Sequence, residues 1–330
     1  MMIAIKNIAL SSLLITSSVV ANAASYQLCN VSNGCRSEGN ISVTSNYTQT
    51  KYPLVFAHGM AGFSKVSVLD YWYGIPKDLV AGGSKVYVTQ VASFDSSEVR
   101  GEQLLKQVQD ILAISGSAKV NLIGHSHGNQ SVRYVAGLIP TKVASVTGVG
   151  GPNKGSPVAD VIKGATNIPG LGPLAATVIS AGINGFFQFI DLTSGEGYRQ
   201  DALAGMDSLT TKGAAAFNAK FPQGIPTTTC GEGAYVVNNV RYYSWSGTKH
   251  LTNVLDIIDP ALALTGALIG EPNDGLVGRC SSHLGQVIRD NYGMNHLDEV
   301  NQIFGLVNLF ETNPVSVYRQ QANRLKVAGY

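Results

Sequence analysis

The sequence predicts an α/β protein built around a parallel sheet, and three observations carry that expectation. Leu54-Val55-Phe56-Ala57, Val86-Tyr87-Val88-Thr89 and Val120-Asn121-Leu122-Ile123 are short, largely apolar runs without alternation, as strands buried on both faces require. Between and after them, Leu104, Leu105, Val108, Ile111 and Leu112 keep helical spacing, and so do Val132, Val135, Ala136 and Ile139. The third run leads straight into Gly124-His125-Ser126-His127-Gly128, with a helix pattern behind it. Strand alternating with helix implies crossover connections and a sheet covered on both sides.

The first 23 residues read as an address. Lys6 supplies a positive start, Ile8 to Val20 an apolar run, and Ala21-Asn22-Ala23 a small-residue cleavage signal. A membrane span needs about 20 apolar residues, more than this run or any later one provides. Export by a cleaved signal peptide and a soluble, secreted mature protein are therefore expected. Cleavage after Ala23 removes Lys6 alone among the charged residues, lowering the formal net charge from +2 to +1. So near-neutral a balance argues against nucleic acid as a partner. Apolar residues are 45% and charged ones 13%, an excess of apolar matter that suits a surface meeting lipid.

Four cysteines follow the signal: Cys29, Cys35, Cys230 and Cys280. In an exported chain an even count points to disulfides, with three possible pairings; local pairing joins Cys29 to Cys35 and Cys230 to Cys280. No paired CxxC spacing supports zinc. Residues 24–50 are polar and read as an irregular N-terminal extension, and residues 51–330 as one large domain. The stretch around 157–191 is punctuated by Gly and Pro, almost uncharged, and carries Leu174, Val178, Ile179, Ile183, Phe186, Phe187 and Ile190. Two readings fit it: a buried helix, or a lid whose apolar face turns outward at a lipid surface.

Gly124-His125-Ser126-His127-Gly128 matches the G-x-S-x-G nucleophile elbow, where a tight strand-to-helix turn exposes the serine at the sheet edge. With 37 glycines in the chain the pentapeptide alone is weak; its strand–turn–helix context is what makes it specific. Serine needs a base, and histidine has the suitable pKa. The order Ser, acid, His leaves His250, His283 and His296. His296 lies in a loop position, His283 beside Cys280 reads as structural, and His250 precedes the best acids. Asp274, in Asn273-Asp274-Gly275, competes as acid with Glu271, Asp256 and Asp259. A tetrahedral oxyanion needs two N–H donors, expected from His127, after the nucleophile, and Met60, after the first core strand. Metal binding by His125 and His127 is disfavoured because an elbow splays them apart.

Longer motifs carry a family resemblance. Lys51-Tyr52-Pro53 with Ala57-His58-Gly59-Met60, Val120 to Gly128, Tyr242 to Gly247, Asn273 to Val277 and Asn295 to Gln302 resemble the secreted, foldase-assisted bacterial true lipases of family I, over most of the mature chain. The resemblance implies the α/β-hydrolase fold, with a mostly parallel central sheet flanked by helices and a helical lid around 157–191. It implies Ser126, Asp274 and His296 as a triad, Met60 and His127 as oxyanion donors, and a Cys230–Cys280 disulfide. It also implies one structural calcium ion on the carboxylates of Asp259 and Asp298 and the main-chain oxygens of Gln302 and Leu306. Asp256 competes with Asp259 because the nearby loop differs in length, and calcium favours such oxygen ligands. Implied partners are acylglycerol at a lipid–water interface, a periplasmic foldase and secretion machinery, for a protein expected to be monomeric. Cys29, Cys35 and Asn129, which stands where a glycine is common, depart from the family pattern. The resulting expectation is triacylglycerol hydrolysis. Rival readings are a short-chain esterase or polyester depolymerase, and a non-catalytic lipid-binding module.

Overall fold

A computed structural model describes residues 23–66, 69–164 and 198–330. The three apolar runs form β3 (Leu54–Ala57), β6 (Val86–Thr89) and β7 (Val120–His125), buried throughout. Successive side chains of β3 point to opposite faces, and each face has a core. Leu54 and Phe56 join Trp72, Ile75, Tyr318 and Leu325 on one side. Val55 and Ala57 join Leu104, Val108, Ile111 and Val135 on the other. The helical patterns are α2 (Ser97–Ser115) and α3 (Gly128–Leu138), both on that second face. Ser96 caps α2 by accepting from the Val99 N–H at 3.2 Å, and Gly116 at φ 63° ends it. The first face is covered by α1 (Ile75–Ala81) and α8 (Pro314–Val327).

The main sheet runs in the order β11-β10-β8-β7-β3-β6-β1-β2, with β1 at Ala23–Asn30, β2 at Gly34–Ser42, β8 at Val143–Val149, β10 at Val240–Gly247 and β11 at Gln286–Tyr292. From β1 through β11 neighbours are parallel; only β2 and the short β9 (Val236–Val237) pair antiparallel. A separate hairpin pairs β4 (Lys65–Val66) with β5 (Leu69–Asp70). Four further helices are α4 (Pro157–Ile162), α5 (Ala202–Leu209), α6 (Thr211–Lys220) and α7 (Asp259–Gly266).

The N-terminal extension corrects the sequence reading. Residues 24–50 are not irregular at their start: β1 (Ala23–Asn30) and β2 (Gly34–Ser42) form a hairpin that extends the sheet through β6. Cys29 and Cys35 stand directly opposite across the hairpin and are bonded. Only Tyr26, Leu28, Cys29 and Ile41 of these two strands are buried, so the polar outer face hid the pattern. Cys230 and Cys280 form the second disulfide. The segment Leu174–Ile190 and nearly all of the signal stretch lie outside the described residues. Of the expected 157–191 lid, α4 is described, with Val158, Ala159 and Val161 buried.

Candidate active site

Ser126 sits between β7 and α3 at φ 54°, a left-handed conformation that costs a non-glycine residue about 1 kcal/mol or more. The glycines around it are dictated by contact. A Cβ on Gly128 would stand 2.1 Å from the Ala57 carbonyl oxygen, and one on Gly124 would stand 2.4 Å from that of Gly128. Ser126 N–H donates to the Val149 carbonyl at 3.0 Å, tying the turn to β8. Asn129 explains its own departure. Its amide nitrogen lies 2.9, 3.1 and 3.2 Å from the carbonyl oxygens of Gly124, Ser126 and Val149, and Gly148 and Gly151 leave room for it. The Asn129 side chain thus braces the elbow.

Asp274 and His296 come together: Nδ1 of the imidazole donates to Oδ2 at 2.7 Å. The other carboxylate oxygen, Oδ1, accepts the N–H groups of Leu276 and Val277 at 2.9 and 2.7 Å, and His296 N–H donates to the Asp274 carbonyl at 2.8 Å. With Nδ1 protonated and engaged, Nε2 of His296 keeps a free lone pair. The rival acids are occupied elsewhere. Glu271 accepts the Cys280 N–H, Asp256 that of Ile258, and Asp259 that of Asn253. His283 lies between the Gly231 carbonyl and Asp290, and His250 meets Asn273. The splaying expected of His125 and His127 is present: His125 turns to Tyr71 and the His296 carbonyl, His127 to the Ser97 hydroxyl.

Glu299 is the residue that sequence reasoning passed over. Wholly buried, it accepts the Gly247 N–H at 2.6 Å and holds its other oxygen 3.4 Å from His125 Nε2 and 4.0 Å from His296 Nδ1. Burial first, and then the Asp274 carboxylate, push its pKa well above the usual range. That shift disfavours a second negative charge beside the imidazole. Its signal in the sequence was the third position after His296, adjacent to Asp298, which drew the attention instead.

The loop after β3 lies against the nucleophile. A Cβ on Gly59 would stand 2.7 Å from Ser126 Cβ and 2.8 Å from the Tyr71 hydroxyl, so the position admits only glycine. The Gly59 carbonyl accepts from His58 Nδ1 at 2.8 Å, Arg100 Nη2 at 3.0 Å and Gly62 N–H at 3.2 Å. In a trans peptide the following N–H points the opposite way, so these donors orient the Met60 N–H. His58 is held neutral, its pKa lowered to about 3 by burial and by Arg100. Its Nδ1–H therefore donates, and Nε2 accepts the Val91 N–H at 3.2 Å. His127 is the residue preceding α3, where N–H groups lack helical partners. Its imidazole is buried and kept neutral by that burial, with Arg100 adding to the shift.

A network joins the two halves. The His296 carbonyl can only accept, so His125 Nε2 at 3.0 Å is the donor and its Nδ1 is an acceptor. The Tyr71 hydroxyl then donates to Nδ1 at 2.6 Å and accepts the Gly59 N–H at 3.0 Å. Burial holds His125 neutral, consistent with that tautomer.

The implied calcium ligands lie beside His296. Asn295 donates from its main chain to Asp298 Oδ2 at 3.2 Å and from its side chain to Asp259 Oδ1 at 2.7 Å. Oδ1 of Asp298 and Oδ2 of Asp256 are buried without a hydrogen-bond partner. Burial, with Asp259 and Asp256 adding repulsion, pushes Asp298 up to about 7. Neither the Gln302 nor the Leu306 carbonyl accepts a hydrogen bond among the described residues. Unpaired oxygens and crowded negative charge fit a hard divalent cation. Asp256 shares that crowding, so Asp259 and Asp256 both stay in contention.

The geometry is that of a serine hydrolase elbow, and comparison with known proteins agrees. Residues 52–268 match the model of the alpha/beta hydrolase fold family. A triacylglycerol lipase of Vibrio cholerae is 55% identical over 284 residues, 86% of this chain and 90% of the relative. One from Pseudomonas fragi is 42% identical over 85% of this chain and 98% of its own length. Among solved structures, a mature-form Bacillus licheniformis lipase aligns at TM-score 0.54 and 19% identity, covering 76% of this chain and 87% of that one. A metagenomic carboxyl esterase aligns at 0.55 and 18%, covering 89% and 79%; both likenesses speak to fold alone. The chain belongs to the α/β-hydrolase family and, within it, to the bacterial triacylglycerol lipases.

Proposed function

We propose that the protein is a secreted, calcium-dependent triacylglycerol lipase working through Ser126, His296 and Asp274. The observation that carries this reading is the 2.7 Å bond between Asp274 and His296 Nδ1, which leaves Nε2 free to act as base in a chain whose Ser126 takes the left-handed elbow conformation. Ser126 Oγ attacks the ester carbonyl while His296 Nε2 takes its proton, and Asp274 stabilises the imidazolium. The oxyanion rests on the N–H groups of Met60 and His127. His296 returns the proton to the departing alkoxide, leaving an acyl-Ser126 ester. Water, deprotonated by the same imidazole, then releases the fatty acid and regenerates the serine.

Calcium, when bound, supplies positive charge that offsets the crowded carboxylates. Asp298 and Asp259, with the Gln302 and Leu306 carbonyls, would hold it, and the Asn295 bridge ties that site to the turn carrying His296. Export rests on the N-terminal pattern and two disulfides. A periplasmic foldase and secretion machinery follow from the resemblance.

The test is hydrolysis of a chain-length ester series, above and below solubility, with and without chelator. Emulsified long-chain triacylglycerol is expected as the preferred substrate, chelation should lower the rate, and Ser126→Ala should lose about 10⁴-fold or more. Preference for soluble short esters would favour the esterase reading instead. Activity surviving Ser126→Ala would sink the mechanism.

A further inference from the structure

Two loops at the C-terminal edge of the sheet carry apolar side chains that packing does not explain. The first, residues 248–258, continues from β10; the second, residues 301–312, follows the turn that carries His296. Ser126 leaves the same edge at the end of β7, which is parallel to β8 and through it to β10. Leu251, Val254, Leu255 and Ile257 on the first loop are exposed, as are Leu309 and Phe310 on the second. Val254 and Phe310 are 103% and 99% exposed, and Ile257 and Leu309 84% and 82%, so these side chains project fully from the surface. Asn253 Nδ2 donates to the Val307 carbonyl at 3.1 Å, which places the loops side by side. Between Leu251 and Ile257 the sole charged residue is the buried Asp256, and between Ile303 and Phe310 there is none.

We propose that these two loop tips form a docking surface that inserts into a neutral lipid layer and sets the active-site edge against it. The inference rests on the lipase reading, which puts the substrate in a water-insoluble phase. Apolar groups of this number on two adjoining loops exceed the scattered single exposures of ordinary surfaces. Their form selects the occupant. A protein partner needs a broad, complementary contact of about 1,200 Å² or more, whereas separate tips with nearly full exposure suit a fluid that closes around each side chain. Exposed Lys249, at the base of the first loop, is the one lysine or arginine in either loop and stands outside both apolar runs, so headgroup charge is a minor source of attraction. Binding should therefore be insensitive to salt.

The test compares the wild-type chain with Ile257→Asp/Phe310→Asp, neither residue being part of the proposed triad, oxyanion hole or calcium site. Adsorption to triolein emulsion and to phosphatidylcholine vesicles is read by sedimentation, and hydrolysis of dissolved p-nitrophenyl butyrate separately. The expected result is adsorption weakened about tenfold or more, from the lost transfer of two large apolar side chains. Soluble-ester kcat/KM should stay unchanged, and wild-type adsorption should hold up to about 0.5 M salt. Phe310→Trp, apolar but suited to an interface, should keep adsorption. The proposal is overturned by unchanged adsorption in the double variant, by a parallel loss on the dissolved ester, or by a wild-type dimer that the substitutions dissociate. Adsorption repeated with Ser126→Ala needs no turnover, so it separates failure of docking from failure of the lipase reading.

Discussion

Three donors converge on the Gly59 carbonyl, and one of them, Arg100, also reaches the carbonyls of His58, Ala92 and Ser93 at 2.6 to 3.0 Å. Burial lowers its guanidinium pKa to about 10, still protonated at neutral pH. Lysine presents a single point of donation and cannot span these carbonyls. Arg100→Lys is therefore expected to lower kcat on a dissolved ester by about 10- to 100-fold with little change in KM, because the Met60 N–H loses its aim. A raised KM at constant kcat would show that Arg100 serves substrate binding instead. Tyr71→Phe strands the Gly59 N–H and His125 Nδ1 together. It should reduce kcat in the same way, and measuring kcat and KM for both variants checks the pair. The elbow at Ser126 was legible because its motif is local, whereas the pairing of Asp274 with His296, which the 2.7 Å bond brings together, was singled out from its rivals only by the family resemblance. Arg100 and Tyr71 were not legible, because each meets the site from a distant stretch and carries no motif of its own, and Glu299 was not, because nothing in its sequence position shows that its carboxyl is buried against two imidazoles.

At the scale of elements, the parallel strands announced themselves through continuous apolar runs, whereas β1 and β2 did not. An edge hairpin with one solvated face needs few apolar residues, and Tyr26, Leu28, Cys29 and Ile41 suffice. β8 and β10 likewise escaped the run-based reading, since Ser, Thr and Gly interrupt Val143–Val149 and polar side chains interrupt Val240–Gly247. The two disulfides differ by the chain they close. Cys29–Cys35 spans 6 residues and Cys230–Cys280 spans 50. On the chain-entropy model their removal costs about 2 and about 4 kcal/mol respectively. Thermal unfolding of the Cys→Ser pairs should rank them in that order; the reverse order would mean the hairpin contributes more than its loop closure.

For the whole molecule, buried titratable groups set the acid limit. His58, His125 and His127 all have pKa values lowered by burial. Below about pH 6.5 the unfolded chain takes up protons that the folded one refuses, so each histidine removes about 1.4 kcal/mol of stability per pH unit. Glu299 and Asp298, both raised, bind protons on folding and oppose this trend as pH falls towards the ordinary carboxylate range. Asp70 and Asp256 are raised by less and join them only close to that range, so between about pH 6.5 and 5 three histidines face two strongly raised carboxyls and the net is a loss. Tm of chelated protein should therefore hold near neutrality and fall below about pH 6.5. A flat or rising Tm between about pH 6.5 and 5 would contradict the assignment of neutral histidines.

The most direct measurement is labelling with a fluorophosphonate followed by mass mapping of the modified peptide. The account predicts one equivalent of label on Ser126, and none in the His296→Ala protein under the same conditions. Label on another residue, or full reaction of Ser126 without the imidazole, would contradict it.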